Sequence, residues 1–196
     1  MKIYTKKGDK GMTSLYDCSK LNKSSIIFDV MGEIDELSVR VGMLISSINL
    51  GPKILTLNLT ELKIVSKLRD IQINMQDINS ILATPNQNKR DKKLKNVSID
   101  ESVVKGIEEL IDKMEKYIPR LTYFILPCVT REDSLSHSCR TQTRKCERML
   151  WKLVNNDDHL SYIDDAIFKY MNRLSDFFFV LARYICFKTN NKEVKK

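Results

Sequence analysis

Glycine and proline are scarce in this chain of 196 residues, which contains 6 glycines and 4 prolines. An all-β sandwich needs many turns, and turns draw heavily on these two residues, so their scarcity favours helices. No run of about 18 uncharged apolar residues occurs, which is the length that a membrane-spanning helix requires. The densest apolar stretch, from Phe177 to Ala182, is far shorter. We therefore predict a helical protein without a membrane partner.

Cysteine pairs with metal-binding or redox spacing are also missing. The 5 cysteines stand at scattered positions without a Cys-x-x-Cys pair, so we expect neither a disulfide framework nor a structural zinc site. The N-terminal residues show no signal-peptide core and no arginine-rich presequence. We expect a reducing compartment, either the cytoplasm or the mitochondrial matrix.

Acidic residues are fewer than basic ones. The chain contains 33 Lys and Arg and 25 Asp and Glu, which gives a formal net charge of +8. The length fits a single domain over residues 1–196. Much of the positive excess lies in residues 86–98 and 188–196, which we predict to be a flexible basic loop and a solvated tail. The charge favours anionic partners, but no helix-turn-helix or aromatic–basic pattern indicates nucleic acid.

Apolar residues recur at three- and four-residue spacing in five segments, which predicts five amphipathic helices. Pro85 and Pro119 end the second and third helices, and Ser98 or Asp100 is expected to cap the third. The five apolar faces run from Val30 to Ile48, Leu62 to Leu82, Val103 to Met114, Leu135 to Leu153 and Ile167 to Ile185.

Short connections between long amphipathic helices favour an antiparallel arrangement. We therefore predict an all-α fold, a five-helix antiparallel bundle over residues 29–187. Residues 1–28 lack helical periodicity and contain Gly8 and Gly11. We expect them to form an irregular segment outside the bundle.

This N-terminal segment is the first candidate for chemistry. Glycines expose consecutive backbone N–H groups and lysines add positive charge, so such a loop can bind phosphates. A lysine-rich turn without a ligand is the alternative, because the Gly-Lys-Ser/Thr sequence of a Walker A loop is absent. The candidate residues are Thr5, Lys6, Lys7, Gly8, Asp9, Lys10, Gly11, Thr13 and Ser14.

A row of arginines on the fourth helix is the second candidate. Arg140, Arg144 and Arg148 are four residues apart and share one helix face. Stacked arginines repel one another unless anions lie between them, which fits a polyphosphate or buried acidic partners. A solvated basic face is the alternative.

A polar seam on the fifth helix is the third candidate. Asn172, Asp176 and Arg183 follow one another beside a strongly apolar stripe. Burying polar groups without partners is costly, so a seam of this kind favours a site or an interface over a solvated face.

Together and in order along the chain, these segments resemble the trimeric ATP:cob(I)alamin adenosyltransferases of the PduO type, which make adenosylcobalamin. The resemblance covers nearly the whole length. It is carried by residues 3–15, Lys23, residues 32–37 (Gly-Glu-Ile-Asp-Glu-Leu), 76–85 and 124–127, the spaced residues His137, Arg140, Arg144, Glu147 and Arg148, and residues 172–176 and 181–184.

The resemblance implies that the protein transfers the 5′-deoxyadenosyl group of ATP to the cobalt of cob(I)alamin. It implies a homotrimer in which Asp35 and Arg140 form an ion pair between subunits. Phe124 is expected against the lower face of cobalamin and Asp176 near the corrin, so that with Arg144 they are the predicted catalytic residues. The implied ATP site comprises the N-terminal candidates together with Lys23, Arg144, Lys145, Cys146, Glu147, Arg148 and Asn172.

The resemblance further implies Mg²⁺ with the triphosphate of ATP, and Asp9 or Glu147 is the candidate for holding it. A reductase or a cobalamin-dependent acceptor enzyme is an expected partner. One loop departs from the family, because Cys128 and Val129 stand where it usually has Gly-Gly. Residues with a Cβ do not follow every glycine backbone path.

This departure favours a second hypothesis, that the protein binds ATP or corrinoid and delivers cofactor with little or no turnover. A turnover assay with reduced cobalamin separates it from the enzyme. A basic helical module that binds nucleic acid is the third hypothesis, and it would require salt-dependent DNA binding without specificity for ATP.

Overall fold

The structure, a computed structural model, describes residues 4, 6, 8–51, 62–85, 94, 97–156 and 162–196. Five helices make up most of the described chain, which confirms the predicted all-α fold. They are α1 (Ile26–Leu50), α2 (Ile64–Leu82), α3 (Glu101–Glu115), α4 (Arg131–Asn156) and α5 (Asp165–Lys188). Within the described residues, none of these helices combines the length and apolar character that a membrane span requires.

Acidic side chains fix the beginnings of two of these helices. Asp100 caps α3 by accepting hydrogen bonds from the N–H groups of Ser102 at 2.8 Å and Val103 at 3.2 Å. Asp164 caps α5 in the same way through the N–H of Ala166. These bonds satisfy donors that the first helical turn leaves without partners. Of the two predicted caps for α3, Asp100 is confirmed.

The helices are arranged side by side in the order α2, α1, α4, α5, α3. Pairs of contacting residues show the directions, because positions that ascend along α1 contact positions that descend along α4. Helices that follow one another in the chain therefore alternate in direction, which confirms the antiparallel bundle, whereas the neighbours α3 and α5 run parallel, with Glu101 beside Lys169 and Glu108 beside Arg173. The contacts that show this are Glu33 with Gln142, Arg40 with Ser138, and Ser47 with Glu132.

The core is centred on α5. Its aromatic residues Tyr170, Phe177, Phe178 and Tyr184 are completely buried, and each such side chain contributes about 1.5–3 kcal/mol on burial. Both α3 and α4 pack against α5. Because α5 lies between α3 and α4, its polar side chains can contact both of these helices.

Two short antiparallel ladders of the described chain lie outside the bundle. Strands β1 (Met12–Ser14) and β2 (Lys20–Asn22) form a hairpin in the N-terminal segment. Strands β3 (Ile125–Leu126) and β4 (Val194–Lys195) join the loop before α4 to the C-terminal residues. Residues 188–196, predicted to be a solvated tail, are mostly exposed, and β4 attaches them to the loop before α4. Residues 86–93, 95 and 96 of the predicted basic loop lie outside the described residues.

Candidate functional site

The chain just before the N-terminal hairpin forms a tight turn between Gly8 and Gly11. Gly11 adopts a φ of +80°, a left-handed conformation that glycine tolerates best. Its N–H donates to the carbonyl of Gly8 at 3.3 Å, and its own carbonyl accepts from the N–H of Lys23 at 2.8 Å. The register of β1 and β2 sets Thr13 opposite Leu21. The hairpin thus brings the glycine turn and Lys23 together.

The side chain of Lys23 lies directly over this turn. A Cβ added at Gly8 would be 3.2 Å from Lys23 Nζ and 3.3 Å from Lys23 Cε. Lys6, Asp9 and Lys10 are exposed around it. Of the predicted phosphate-binding residues, Gly8 and Lys23 therefore lie in contact, and Thr5 and Lys7 lie outside the described residues.

A Gly8→Ala substitution is expected to weaken ATP binding by about three- to tenfold, because the new methyl group displaces the Lys23 ammonium that lies against it. Isothermal titration calorimetry measures this change. Gly106→Ala is the matched control, since nothing lies within 4 Å of the added carbon there. Equal ATP affinity in the two variants would show that the glycine turn does not contribute to the nucleotide site.

The arginine row on α4 carries positive charge without internal compensation. Arg144 and Arg148 are exposed, and Arg140 is half-buried. Burial and the neighbouring Arg144 lower the pKa of Arg140. Among the described residues, none of the three arginines forms an ion pair with a carboxylate. The face is therefore suited to a polyanion that comes from outside this part of the chain.

Lys145 and Cys146 point away from the arginine row and hold α4 to α1. Lys145 Nζ is 2.7 Å from Glu33 Oε1, and the thiol of Cys146 donates to the carbonyl of Glu33 at 3.2 Å. Each residue along a helix turns by about 100°, so positions next to Arg144 face different neighbours. Cys146 is fully buried, and burial raises the pKa of its thiol to about 12. Its predicted contact with the nucleotide is therefore corrected to a structural contact with α1, and Lys145 is an ion-pair partner of Glu33.

A chain of polar contacts joins α4, α5 and α3. Glu147 Oε1 accepts from Asn172 Nδ2 at 3.0 Å, and Asn172 Oδ1 accepts from Arg173 Nη1 at 2.7 Å. Arg173 Nε then donates to Glu108 Oε1 at 2.8 Å. These bonds orient the Asn172 amide beside the arginine row. Two residues of the predicted ATP site, Glu147 and Asn172, are thus in direct contact.

The exposed end of the polar seam on α5 opens into a cavity of about 500 Å³ between α3 and α5. Asp176 is exposed at this cavity. Arg183 was predicted as part of the same seam but is buried, where it pairs with Glu193 at 2.6 Å. The cavity is lined by Glu108, Ile111, Asp112, Glu115, Arg173, Asp176, Phe179 and Val180.

Phe124 projects from the loop before α4, and 83% of its surface is exposed. Phe124 is therefore not part of the hydrophobic core of the described chain. Farther along the loop, Cys128 adopts a φ of +83°, a conformation that costs a residue with a Cβ about 1–2 kcal/mol. The cysteine thus takes a backbone conformation typical of glycine, and the loss of the Gly-Gly sequence does not prevent it.

The end of this loop is fixed by a reciprocal cap at the beginning of α4. Asp133 accepts from the N–H of Thr130 at 2.6 Å and of Val129 at 3.1 Å, while Thr130 Oγ1 accepts from the N–H of Asp133. This is a capping box, which satisfies donors at both positions. Asp133 is 2% exposed, so water does not compete for these bonds.

His137 lies beneath the loop and accepts a hydrogen bond from Arg140 Nε at its Nδ1. Burial and the charge of Arg140 lower the pKa of His137 below its usual 6.5, against the opposing effect of Asp133 and Glu193. The histidine is therefore neutral in the folded protein at neutral pH.

Acidification is expected to destabilise the protein through His137. The unfolded chain binds this proton below about pH 6.5, at a higher pH than the folded chain does, so the free energy of unfolding contributed by this group falls as the pH drops below that value. Melting temperatures of the wild type and His137→Gln from about pH 7.5 to about pH 5.5 test this, and the variant should show the smaller dependence. Parallel curves would contradict the assignment.

Asp35 is exposed on α1 and forms no ion pair with the described residues. Its predicted partner Arg140 contacts His137 instead within the chain. Sequence reasoning missed Glu193 entirely. The available signal was that Glu193 is an acidic residue within a segment otherwise rich in lysine.

Comparison with known proteins shows which family the chain is similar to. Residues 3–185 match the model of the cobalamin adenosyltransferase family. The corrinoid adenosyltransferase MMAB of Bos taurus is 35% identical over 192 residues, which cover 98% of this chain and 74% of that protein. The corrinoid adenosyltransferase of Bacillus subtilis (strain 168) is 34% identical over 185 residues, or 94% of this chain and 86% of that protein.

A solved structure shows the same fold. It is a variant of the PduO-type ATP:corrinoid adenosyltransferase of Lactobacillus reuteri complexed with cobalamin and ATP, at a TM-score of 0.85 and 31% identity. The match covers 100% of this chain and 99% of that one. By its sequence and its fold, the chain belongs to the cobalamin adenosyltransferase family and is of the PduO type.

Proposed function

We propose that this protein transfers the 5′-deoxyadenosyl group of ATP to the cobalt of cob(I)alamin. The cobalt lone pair attacks the 5′ carbon, a cobalt–carbon bond forms, and the carbon–oxygen bond to the triphosphate breaks. Triphosphate leaves with the bonding electrons, and adenosylcobalamin is the product. The observation that carries the proposal is the uncompensated arginine row on α4 in a chain of this family.

The protein's task in this reaction is to orient the substrates and to stabilise charge on the leaving triphosphate. Arg144 and Arg148 offer exposed guanidinium groups, and Lys23 offers an ammonium group over the Gly8–Gly11 turn. Cobalt(I) is itself a strong nucleophile, so no protein base has to remove a proton. The residues present therefore match the needs of the reaction.

The corrin side is proposed to involve Asp176 and Phe124. On α5, Asn172 and Asp176 are one turn apart, so the residue that contacts Glu147 lies next to the residue at the cavity. The exposed ring of Phe124 is available to press on the lower face of cobalamin. An apolar ring there displaces the lower axial ligand, which makes reduction of cobalt(II) easier.

Mg²⁺ is proposed to accompany the triphosphate. The described residues contain no group of three or more His, Cys, Asp or Glu side chains that could hold a metal by themselves. Protein sites for Mg²⁺ commonly use one or two carboxylates together with substrate phosphates and water. Glu147, beside the arginine row, and the exposed Asp9 fit such a site.

Turnover with chemically reduced cobalamin tests the proposed function. Protein, ATP, Mg²⁺ and cob(I)alamin are mixed, and conversion of the cob(I)alamin absorbance to that of an alkylcobalamin is expected. Tight binding of both substrates without this conversion would support the alternative of a delivery protein. Release of triphosphate in a one-to-one ratio with adenosylcobalamin is the accompanying control.

The active protein is proposed to be a homotrimer in which Asp35 of one subunit pairs with Arg140 of the next. We expect a native mass of three times the 22.8 kDa chain, measured by light scattering after size exclusion. Asp35→Asn should lower the mass at micromolar concentration, and Asp29→Asn, an exposed control on the same helix, should not. A monomer with full turnover would contradict this model.

We also propose that the chain is a single domain located in the cytoplasm or the mitochondrial matrix. The 5 cysteines are all free thiols, which fits a reducing compartment. Since cob(II)alamin must gain an electron before the reaction, a reductase is the expected partner. An acceptor enzyme that uses adenosylcobalamin is the other partner that this chemistry requires.

A further inference from the structure

The C-terminal residues 191–196 cross the loop that carries Phe124, and we call them the strap. Within the strap, β4 pairs with β3 in the register Ile125 with Lys195 and Leu126 with Val194. The N–H of Lys196 donates to the carbonyl of Phe124 at 3.0 Å. The backbone of Phe124 is therefore held by a segment far away in the sequence.

A buried ion pair anchors the strap to the bundle. Arg183 Nε donates to Glu193 Oε1 at 2.6 Å, and Arg183 Nη2 donates to Glu193 Oε2 at 3.3 Å. The same nitrogen donates to the carbonyl of Pro119 at 2.8 Å. The exposed fractions of the two side chains are only 7% for Arg183 and 13% for Glu193. One guanidinium thus joins α5, the strap and the chain just before the Phe124 loop.

The two ends of the loop are fixed in different ways. Its far end depends on Asp133, which binds the N–H groups of Val129 and Thr130 without any contribution from the strap. Its near end depends on the strap, through β4 and Lys196. A second contact places Lys195 Nζ 4.3 Å from the ring centroid of Tyr123. Loss of the strap is therefore expected to release the near end and leave the far end in place.

The strap matters for Phe124 because the side chain of this residue is exposed. Because 83% of that residue is exposed, packing within the chain contributes little to its position. The position of the ring is then set by the backbone, and the backbone is set by the strap. Fixing the backbone in advance reduces the conformational entropy lost when a ligand is bound.

We propose that Glu193 is a positioning residue, which through Arg183 and the strap holds Phe124 where its ring contacts the lower face of cobalamin. This rests on the role proposed above for Phe124. It predicts that disturbing the strap impairs the use of cob(II)alamin, which needs the ring in place. ATP binding and the use of preformed cob(I)alamin should change much less.

The test compares Glu193→Gln and a chain ending at Asn191 with the wild type. Turnover from cob(II)alamin with a reductant is expected to fall roughly ten- to a hundredfold. Turnover from chemically prepared cob(I)alamin should fall less than about threefold, and the Kd for ATP should stay within about twofold. Glu109→Gln is the matched control, because Glu109 is an exposed carboxylate on α3.

Two physical readouts accompany the kinetics. The electron paramagnetic resonance spectrum of bound cob(II)alamin reports whether the lower axial ligand has left, and it should show more ligated cobalt in Glu193→Gln. Amide hydrogen exchange at residues 124–126 should be faster in that variant, whereas exchange at Val129 and Thr130 should be unchanged.

Wild-type turnover from cob(II)alamin in both strap variants would overturn the proposal. Equal losses in both cobalamin assays together with a lower melting temperature would also overturn it, because they would make Glu193 only a stabilising residue. A wild type that is inactive with cob(I)alamin contradicts the proposed function instead. In that case faster exchange at residues 124–126 still supports the strap contact, and unchanged exchange contradicts it.

Discussion

Phe124→Ala is expected to lower turnover from cob(II)alamin by about ten- to a hundredfold, since a buried Phe side chain is worth about 1.5–3 kcal/mol. The ring has few contacts within the chain, so this loss reflects its contact with the substrate. The electron must enter a cobalt(II) centre that resists it, and removal of the axial ligand lowers the energy of the accepting orbital. Steady-state assays that begin from cob(II)alamin measure the effect.

A second assay distinguishes a Phe124 ring that contacts cobalamin from one that only stabilises the fold. When cob(I)alamin is supplied chemically, the defect of Phe124→Ala should be smaller, and the Kd for ATP should be nearly unchanged. Leu50→Ala is the control, because Leu50 is exposed to the same extent at 84%. Equal loss in both assays with a lowered melting temperature would assign a structural role to Phe124.

Arg144→Ala is expected to reduce kcat/KM for ATP by roughly 30- to 1,000-fold, which corresponds to about 2–4 kcal/mol of transition-state stabilisation. Arg144 is exposed and has no carboxylate partner among the described residues, so its removal should leave the melting temperature almost unchanged. Pre-steady-state measurement with saturating cob(I)alamin isolates the chemical step.

Two further variants sharpen the assignment. Arg144→Lys should recover only part of the loss, because an ammonium cannot form the paired hydrogen bonds of a guanidinium with phosphate. Arg69→Ala removes an exposed arginine from α2 and controls for the change in net charge. An unchanged kcat/KM in Arg144→Ala would show that the arginine row is only a solvated surface.

The five helices, their antiparallel arrangement and the resemblance to the family could be predicted from the sequence. Helical periodicity is a local property, and the apolar positions predicted for α1 through α5 are largely those that the core buries, such as Val30, Leu68 and Leu174. The spacing of Arg140, Arg144 and Arg148 likewise follows from helix geometry alone. These parts needed no knowledge of how the helices pack.

The sequence motif did not show which neighbouring positions on α4 face the nucleotide site and which face α1. Arg144, Lys145 and Cys146 form one stretch of the predicted nucleotide site, but only the packing of α1 shows that the last two face Glu33. In the same way, Asn172 and Arg183 share a seam in the sequence, while one is exposed and the other is buried. Which side of a polar helix is covered depends on the neighbouring elements, and these come from distant parts of the chain.

The sequence by itself therefore determined the local elements and the chemistry available in each of them. Only the tertiary structure decided that Lys23 lies over Gly8, that Phe124 is exposed, and that Glu193 pairs with the buried Arg183. The contact of Lys196 with Phe124 joins residues that no periodic pattern relates. This hydrogen bond joins a backbone N–H to a backbone carbonyl, groups that nearly every residue has. No particular side chain in the sequence therefore predicts it.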